Sequence, residues 1–216
     1  VPLNVFVEEA EVELQEASPR MKQRSPGAPG DLATAVEMLL GAERPVLIAG
    51  QGVLLSEATE ALVAFAETAR IPVVTSPNGK GSIDDRHELA FGSIGRNGTY
   101  AGNEASKNAD VILALGFSFD DRATSAWLQG YTLSIPPSRL IQIDIDTYEI
   151  GKNYPAELGI VGDARASLEI MTEQAKARLT STPERTAAWL KTLKGNRETW
   201  KKYQATFAAS DQMPMR

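Results

Sequence analysis

The 216-residue chain contains no cysteine and a single histidine, His87. Without cysteine there can be no disulfide and no thiolate metal site, and one histidine cannot build a multi-histidine centre, so no metal site is expected within this stretch. An excess of basic charge is also missing: 22 Lys and Arg face 28 Asp and Glu, for a formal charge of -6. Nucleic acid and anionic membranes are held by clustered lysines and arginines, so neither is an expected partner. No apolar run approaches the length of a membrane span, and no signal-peptide core is present. A cysteine-free chain suits the reducing cytosol, and a cytoplasmic location is the expectation. No internal repeat and no low-complexity segment appears. What remains is a globular composition, 43% hydrophobic and 23% charged, sufficient for one domain with a full core plus flanking segments.

The pattern along the chain is uneven. "VPLNVFVE" alternates like a strand whose partners are elsewhere, and with no initial Met the chain reads as a piece of a longer protein. The residues that follow, ending "SPRMKQRSPGAPG", are polar and rich in Pro and Gly, as a connection is. Residues 1–30 are therefore expected to be the tail of a preceding domain and a linker, 31–180 the domain proper, and 181–216 a helical linker toward a following domain. Asp31 and Ser56 are placed to cap the first two helices, Thr99 a later one, and Asp163 a long one. Between helical stretches lie runs rich in Val, Ile and Leu. They predict strands at about 45–50, 71–76, 110–116, 139–145 and 158–161, with a sixth near Leu89 to Ile94. Apolar strands alternating with helices specify an α/β, Rossmann-like open parallel sheet of about six strands, covered by helices on both faces.

Such sheets bind ligands at the carboxyl ends of their strands, so the strand exits carry the functional reading. The first, "AGQGVLLSEA", matches two glycines of a dinucleotide fingerprint in Gly50 and Gly52, but Leu55 stands where the third belongs. The second strand ends in Thr75 and Ser76 rather than in the acidic residue that holds an NAD ribose, which argues against a standard NAD site. Gly92, Gly95 and Gly98 precede a helix start, an arrangement in which bare N–H groups can meet a phosphate or simply close a set of tight turns. Asp144 and Asp146 end a strand, where they can accept from ribose hydroxyls or cap the next turn. The exit "GFSFDDRATSAW" sets Asp120, Asp121 and Arg122 side by side at the end of a buried strand. His87, without a second His or any Cys, reads as a packed or solvated turn residue.

Taken in order, "RPVLIAGQGV", "IPVVTSPNGKG", "DDRHELAFGSIGRNGTYAGNEASKNADVILALGFSFDDR" and "IQIDIDTYEIGKNYPAELGIVGDARASL" resemble the central domain of thiamine-diphosphate-dependent enzymes. Within that family they are most similar to the acetohydroxyacid (acetolactate) synthase large subunit. The resemblance covers about residues 31–175, and "VPLNV" is similar to the last strand of the family's preceding pyrimidine-binding domain. It implies a 2-oxo acid decarboxylase or carboligase that uses thiamine diphosphate and Mg2+ when full length, as a homodimer or homotetramer. The glutamate that activates the cofactor and the GDG motif that holds its diphosphate belong to the neighbouring domains, so this stretch alone is expected to be inactive. The resemblance also implies FAD, used structurally, with ADP the alternative. Gly50, Gln51 and Gly52 then fall at a glycine turn beside it, Ser76, Pro77 and Asn78 on the flavin side, and Ile94, Gly95, Arg96, Asn97 and Gly98 along the flavin and ribityl chain. Asp144 and Asp163 fall at the adenosine end. Asp121 and Arg122 fall at the mouth of the substrate channel, Arg122 facing the carboxylate of a 2-oxo acid with Asp120 or Asp121 holding the guanidinium fork.

Two departures stand out. Ser118 replaces an arginine that the synthases carry along the FAD, and Arg96-Asn97 replaces Met-His, so that Arg96 becomes the candidate substitute cation. The alternatives from other classes are a self-contained nucleotide-binding module of flavoprotein type and a purely structural domain.

Overall fold

In the computed structural model, the described residues are 24–179 and 186–208, with Val7, Glu9 and Glu11. The strand expected over 1–8, Val7 apart, lies outside them. Helix α1 (Pro29–Gly41) leads into strand β1 (Pro45–Ala49), the short helix α2 (Gln51–Leu55), α3 (Thr59–Ala69) and β2 (Val73–Thr75). Then come β3 (Ala90–Ser93), α4 (Tyr100–Asn108), β4 (Val111–Leu115), β5 (Arg139–Asp144), β6 (Leu158–Val161), α5 (Ala164–Arg178) and α6 (Ala187–Ala208).

The six strands form one sheet in the order β3-β2-β1-β4-β5-β6, every neighbouring pair parallel. The expected doubly wound sheet is thus present, including its sixth strand, and every strand exit opens on one edge. β1 and β4 are buried at every position, which explains their unbroken apolar runs. From β1 to β2 the chain moves one way along the sheet, and from β3 to β4 it crosses back over two strands. Right-handed crossovers in opposite directions put their helices on opposite faces. Accordingly α1 and α3 pack on α5, while α4 packs on α6.

Two expected caps are corrected. Asp31 lies inside the first turn of α1, because Pro29 starts the helix earlier: its missing N–H and fixed φ suit the first helical position. Ser56 does not cap α3, whose N-cap is Ala58; its hydroxyl instead bonds Asp163 and the Arg165 N–H. Thr99 and Asp163 do cap their helices, accepting from the N–H groups of Gly102 and Ala166 at 3.0 Å each. The first half of α6 is docked on the sheet domain. Trp189, Leu190 and Leu193 join the core, the Trp189 indole N–H donates to the Pro45 carbonyl at 3.2 Å, and Arg197 reaches Ala90 O over the Phe91 ring.

Candidate functional site

The carboxyl edge is stitched together exit by exit. At the reversal of strand order, Gly50 N–H donates to Leu115 O at 2.9 Å and Gly52 N–H to Gly116 O at 3.1 Å. The two exits touch backbone to backbone: a Cβ on Gly52 would stand 2.6 Å from Gly116 Cα, and one on Gly50 would stand 2.6 Å from both the Gly116 carbonyl carbon and Phe117 Cα. The glycines therefore let the exits of β1 and β4 meet at the reversal of strand order, and Gly52 has no N–H left for a phosphate. Gln51 is exposed at the first position of α2. On one side the stitching continues through Gly79, whose Cβ would stand 2.9 Å from Ala49 C; on the other it runs through Gly116 N–H to Ile143 O at 2.8 Å and Gly162 N–H to Asp144 O at 2.9 Å.

Ser76 is buried and closes its own turn, its N–H on Ala49 O and its hydroxyl accepting from Gly79 N–H at 3.0 Å. Pro77 and Asn78 are exposed beside it. Ile94 is buried, its N–H on Thr75 O. Four N–H groups of the next loop and the helix start, expected to be bare, are committed internally. Gly95 N–H goes to the Asn103 side chain at 2.8 Å, Arg96 N–H to Arg122 O at 2.9 Å, Gly98 N–H to Gly95 O at 2.9 Å and Thr99 N–H to Ser93 O at 2.8 Å. Gly95, at φ 101°, permits this closeness, since a Cβ there would meet Arg122 O at 2.5 Å and Ala123 Cα at 2.8 Å. Arg96 and Asn97 project into solvent.

The exit of β4 is backbone-strained. Phe119, Ser125, Ala126 and Trp127 all have φ between 53° and 58°, a region that costs side-chain-bearing residues about 1–2 kcal/mol each. Such conformations persist only where the surroundings fix them. Here the Trp127 indole donates to Phe119 O at 2.9 Å, Asn153 to the same oxygen at 3.1 Å, and Ser125 and Thr132 share a hydroxyl bond of 2.8 Å. Arg122 is thereby presented at the surface. Neither aspartate holds its guanidinium among the described residues, contrary to expectation. Asp120 spends a carboxylate oxygen on the N–H groups of Arg122 and Ala123, and Asp121 faces Arg96 at 3.7 Å. His87 is a turn residue: its Nε2 lies 3.1 Å from Glu67 and its Nδ1 accepts from Leu89 N–H.

Asp144 and Asp163 come together with Gly52, Ser56 and Gly116 around a cavity of about 130 Å³, walled also by Ile143, Ile145, Gly162 and Ala164. Asp144 accepts from Asp146 N–H at 2.9 Å, and burial, more than the nearby Glu149 and Asp146 charges, pushes its carboxyl above the ordinary carboxylate value. Asp163 is held at both oxygens. One oxygen caps α5, while the other takes the Ser56 hydroxyl at 2.7 Å and the Arg24 guanidinium at 3.3 Å. Ser56, Gly116, Arg24 and Asn103 escaped the sequence reading of the site. Gly116 alone carried a signal, as a glycine ending a buried strand; contacts between exits depend on strand order, which local pattern does not reveal.

A parallel sheet with strand order 3-2-1-4-5-6 and its loops gathered on the carboxyl edge defines the doubly wound, Rossmann-like class, whose ligands sit on that edge. Among proteins of that class, residues 32–171 match the family model of the thiamine pyrophosphate enzyme central domain, and the chain belongs to that family. It is 42% identical over 147 residues to the probable acetolactate synthase large subunit of Methanocaldococcus jannaschii, covering 68% of this chain and 24% of that protein. To the acetolactate synthase large subunit of Corynebacterium glutamicum it is 40% identical over 161 residues, 74% of this chain and 25% of the relative. To that of Parasynechococcus marenigrum it is 36% identical over 179 residues, 83% and 27%. The chain thus spans about a quarter of the length of the curated relatives it matches.

Proposed function

We propose that this chain is the central domain of an acetolactate synthase-like enzyme that, at full length in the cytoplasm, uses thiamine pyrophosphate to join 2-oxo acids, as a homodimer or homotetramer. The observation that carries the reading is the ordered edge: four successive exits, matching the family's motifs in sequence, are locked by glycine contacts into one surface that presents Arg122. The described residues include no group of three or more His, Cys, Asp or Glu able to hold a metal ion. Thiamine pyrophosphate and magnesium are assigned to other parts of the full-length chain, because the resemblance puts the activating glutamate and the diphosphate-holding motif in neighbouring domains, toward which residues 1–30 and 181–216 lead. The domain's own part is architectural, together with orientation of the substrate. The Arg122 guanidinium, which no carboxylate holds among the described residues, matches the carboxylate of a 2-oxo acid in two parallel hydrogen bonds, and the strained, cross-braced loop fixes where it stands.

FAD, or ADP in its place, fits the edge unevenly. At the sugar end the fit is good: a carboxylate has about four lone-pair sites, so Asp144 retains capacity for ribose hydroxyls beside its Asp146 bond. At the diphosphate the backbone donors of Gly50, Gly52, Gly95 and Gly98 are already paired. Charge for a diphosphate would come from side chains, Arg96 foremost, and Ser118 supplies none. A bound flavin would lend its adenosine as an anchor, Gln51, Ser76, Pro77, Asn78, Ile94 and Asn97 forming the rest of its bed.

The test is kinetic, in the full-length enzyme with thiamine pyrophosphate and magnesium. Arg122→Gln should raise KM for pyruvate about 10- to 100-fold, the equivalent of one charge-assisted bond, with the larger effect on KM than on kcat. An unchanged KM would remove Arg122 from the substrate's path. The isolated 216-residue chain should turn over no pyruvate under the same conditions.

A further inference from the structure

One wall of the cavity at the exits of β5 and β6, made by Ser56, Gly162 and Asp163, is backed by the segment entering the domain. Arg24 donates to the Ser56 carbonyl and lies 3.2 Å from its hydroxyl, 3.3 Å from Asp163 Oδ2 and 3.1 Å from Glu57. Ser56 and Asp163, both buried, line the cavity. The same two side chains therefore face the cavity and hold the entering segment. Beyond Arg24 that segment is fixed by Asp163 N–H to Ser25 O at 2.8 Å and Gly27 N–H to the Ser167 hydroxyl at 3.0 Å. It lies so close to Gly162 that a Cβ there would stand 2.9 Å from Gly27 Cα.

We propose that Arg24 is a positioning residue for this cavity, and that seating the sugar end of a nucleoside diphosphate in it is coupled to seating of the segment 24–27. The inference rests on the nucleotide reading above. One Asp163 oxygen is fixed by the helix cap, so the other sets the geometry a ligand meets. With Arg24 in place that oxygen is oriented and its charge offset; without it, Ser56 alone holds the oxygen, and the wall lined by Ser56, Gly162 and Asp163 loosens. A ligand that orders this wall must, by reciprocity, tighten the segment by the factor by which the segment tightens the ligand. The segment leads toward the N-terminal side of the chain, so occupancy of the cavity is read out at the point where the domain is tethered.

The experiment uses the full-length protein and ADP as probe, with affinity from titration calorimetry and backbone hydrogen exchange followed at 24–28 and 162–167. ADP should slow exchange at Gly27 and Asp163 in the wild type. Arg24→Gln should weaken ADP about 3- to 10-fold and abolish that slowing, and Arg24→Lys, which keeps the charge, should recover part of both. ADP that binds the wild type without altering either segment, or Arg24→Gln that binds like the wild type, overturns the coupling. A wild-type protein that binds neither ADP nor FAD overturns the nucleotide reading, and the coupling falls with it.

Discussion

Gly50→Ala tests whether the meeting of β1 and β4 holds the carboxyl edge together. Gly50 has an extended backbone, φ -88° and ψ -175°, so alanine brings no conformational strain, only its methyl. That methyl would stand 2.6 Å from the Gly116 carbonyl carbon and Phe117 Cα and nearer still to the Gly116 oxygen, all of them backbone atoms of the exit just past β4. No side-chain rotation relieves the contact; the two exits must separate by roughly an ångström. Overpacking of this kind costs about 1–3 kcal/mol. The separation also strains two hydrogen bonds, Gly50 N–H to Leu115 O and Gly52 N–H to Gly116 O, worth about 0.5–1.5 kcal/mol each. The sum, about 2–6 kcal/mol, is a large part of the about 5–15 kcal/mol that holds a domain folded. Gly195→Ala supplies the opposite sign from the same chemical change: Gly195 lies within α6 with nothing inside 4 Å of its Cβ position. Helix propensity then predicts a gain of about 0.5–1 kcal/mol. Urea unfolding of both variants, followed by far-UV circular dichroism, reads the difference as a shift in midpoint at constant slope. A Gly50→Ala chain within 1 kcal/mol of the wild type, on the measurement's own scale of about 10–15%, would refute the account of the strand crossing.

Asp144→Asn should stabilise the fold at neutral pH and weaken nucleotide binding. Burial raises the folded carboxyl above its ordinary value of 3.8, so its cost is absent below that value and grows as pH rises through the raised one. The thermal advantage of the variant should therefore shrink on acidification, while asparagine's carbonyl still accepts from Asp146 N–H; an advantage that persists unchanged to pH 3 would contradict the assignment. Affinity for ADP should drop about 10- to 100-fold if Asp144 takes ribose hydroxyls, and titration calorimetry checks it. Trp189→Ala removes a buried ring and its bond to Pro45 O, and should cost about 3–5 kcal/mol. Hydrogen exchange should show α6 losing protection before the sheet does, and simultaneous loss would mean that helix and sheet unfold as one unit.

Most of the fold was legible because parallel strands covered on both faces must be apolar throughout, and "PVLIA" and "VILAL" are. β3 was harder to read: in "AFGS" a glycine at φ 88° interrupts the run, and its pairing with β2 shifts register there. α2 was missed because five residues containing a glycine show no helical period. The caps divide instructively. Thr99 and Asp163 cap as their residue type suggests, but Asp31 is overruled by Pro29 and Ser56 is drawn away by Asp163 and Arg165, partners more than 100 residues distant. Residue type therefore shows what a side chain can do locally, and tertiary partners decide whether it does.

The same competition governs the candidate site. A glycine-rich loop before a helix suggests free N–H groups for an anion, yet each glycine also lets another backbone come near enough to take them. In this protein the second use prevails at Gly52 and Gly98, and the Gly95 N–H is taken by the Asn103 side chain, because six strand ends must share one edge and their loops satisfy one another. What that arrangement leaves for an incoming anion is side-chain charge. Arg96 and Arg122 come from two loops joined by the Arg96 N–H to Arg122 O bond, and Arg24 stands behind Ser56 and Asp163. Guanidinium groups on flexible stems are sensitive to salt and to replacement by lysine in a way that backbone donors are not. Binding of ADP at this edge should accordingly weaken with ionic strength and with Arg96→Lys. Insensitivity to both would return the anion to the backbone amides, and would require the loops to open from the paired state seen here.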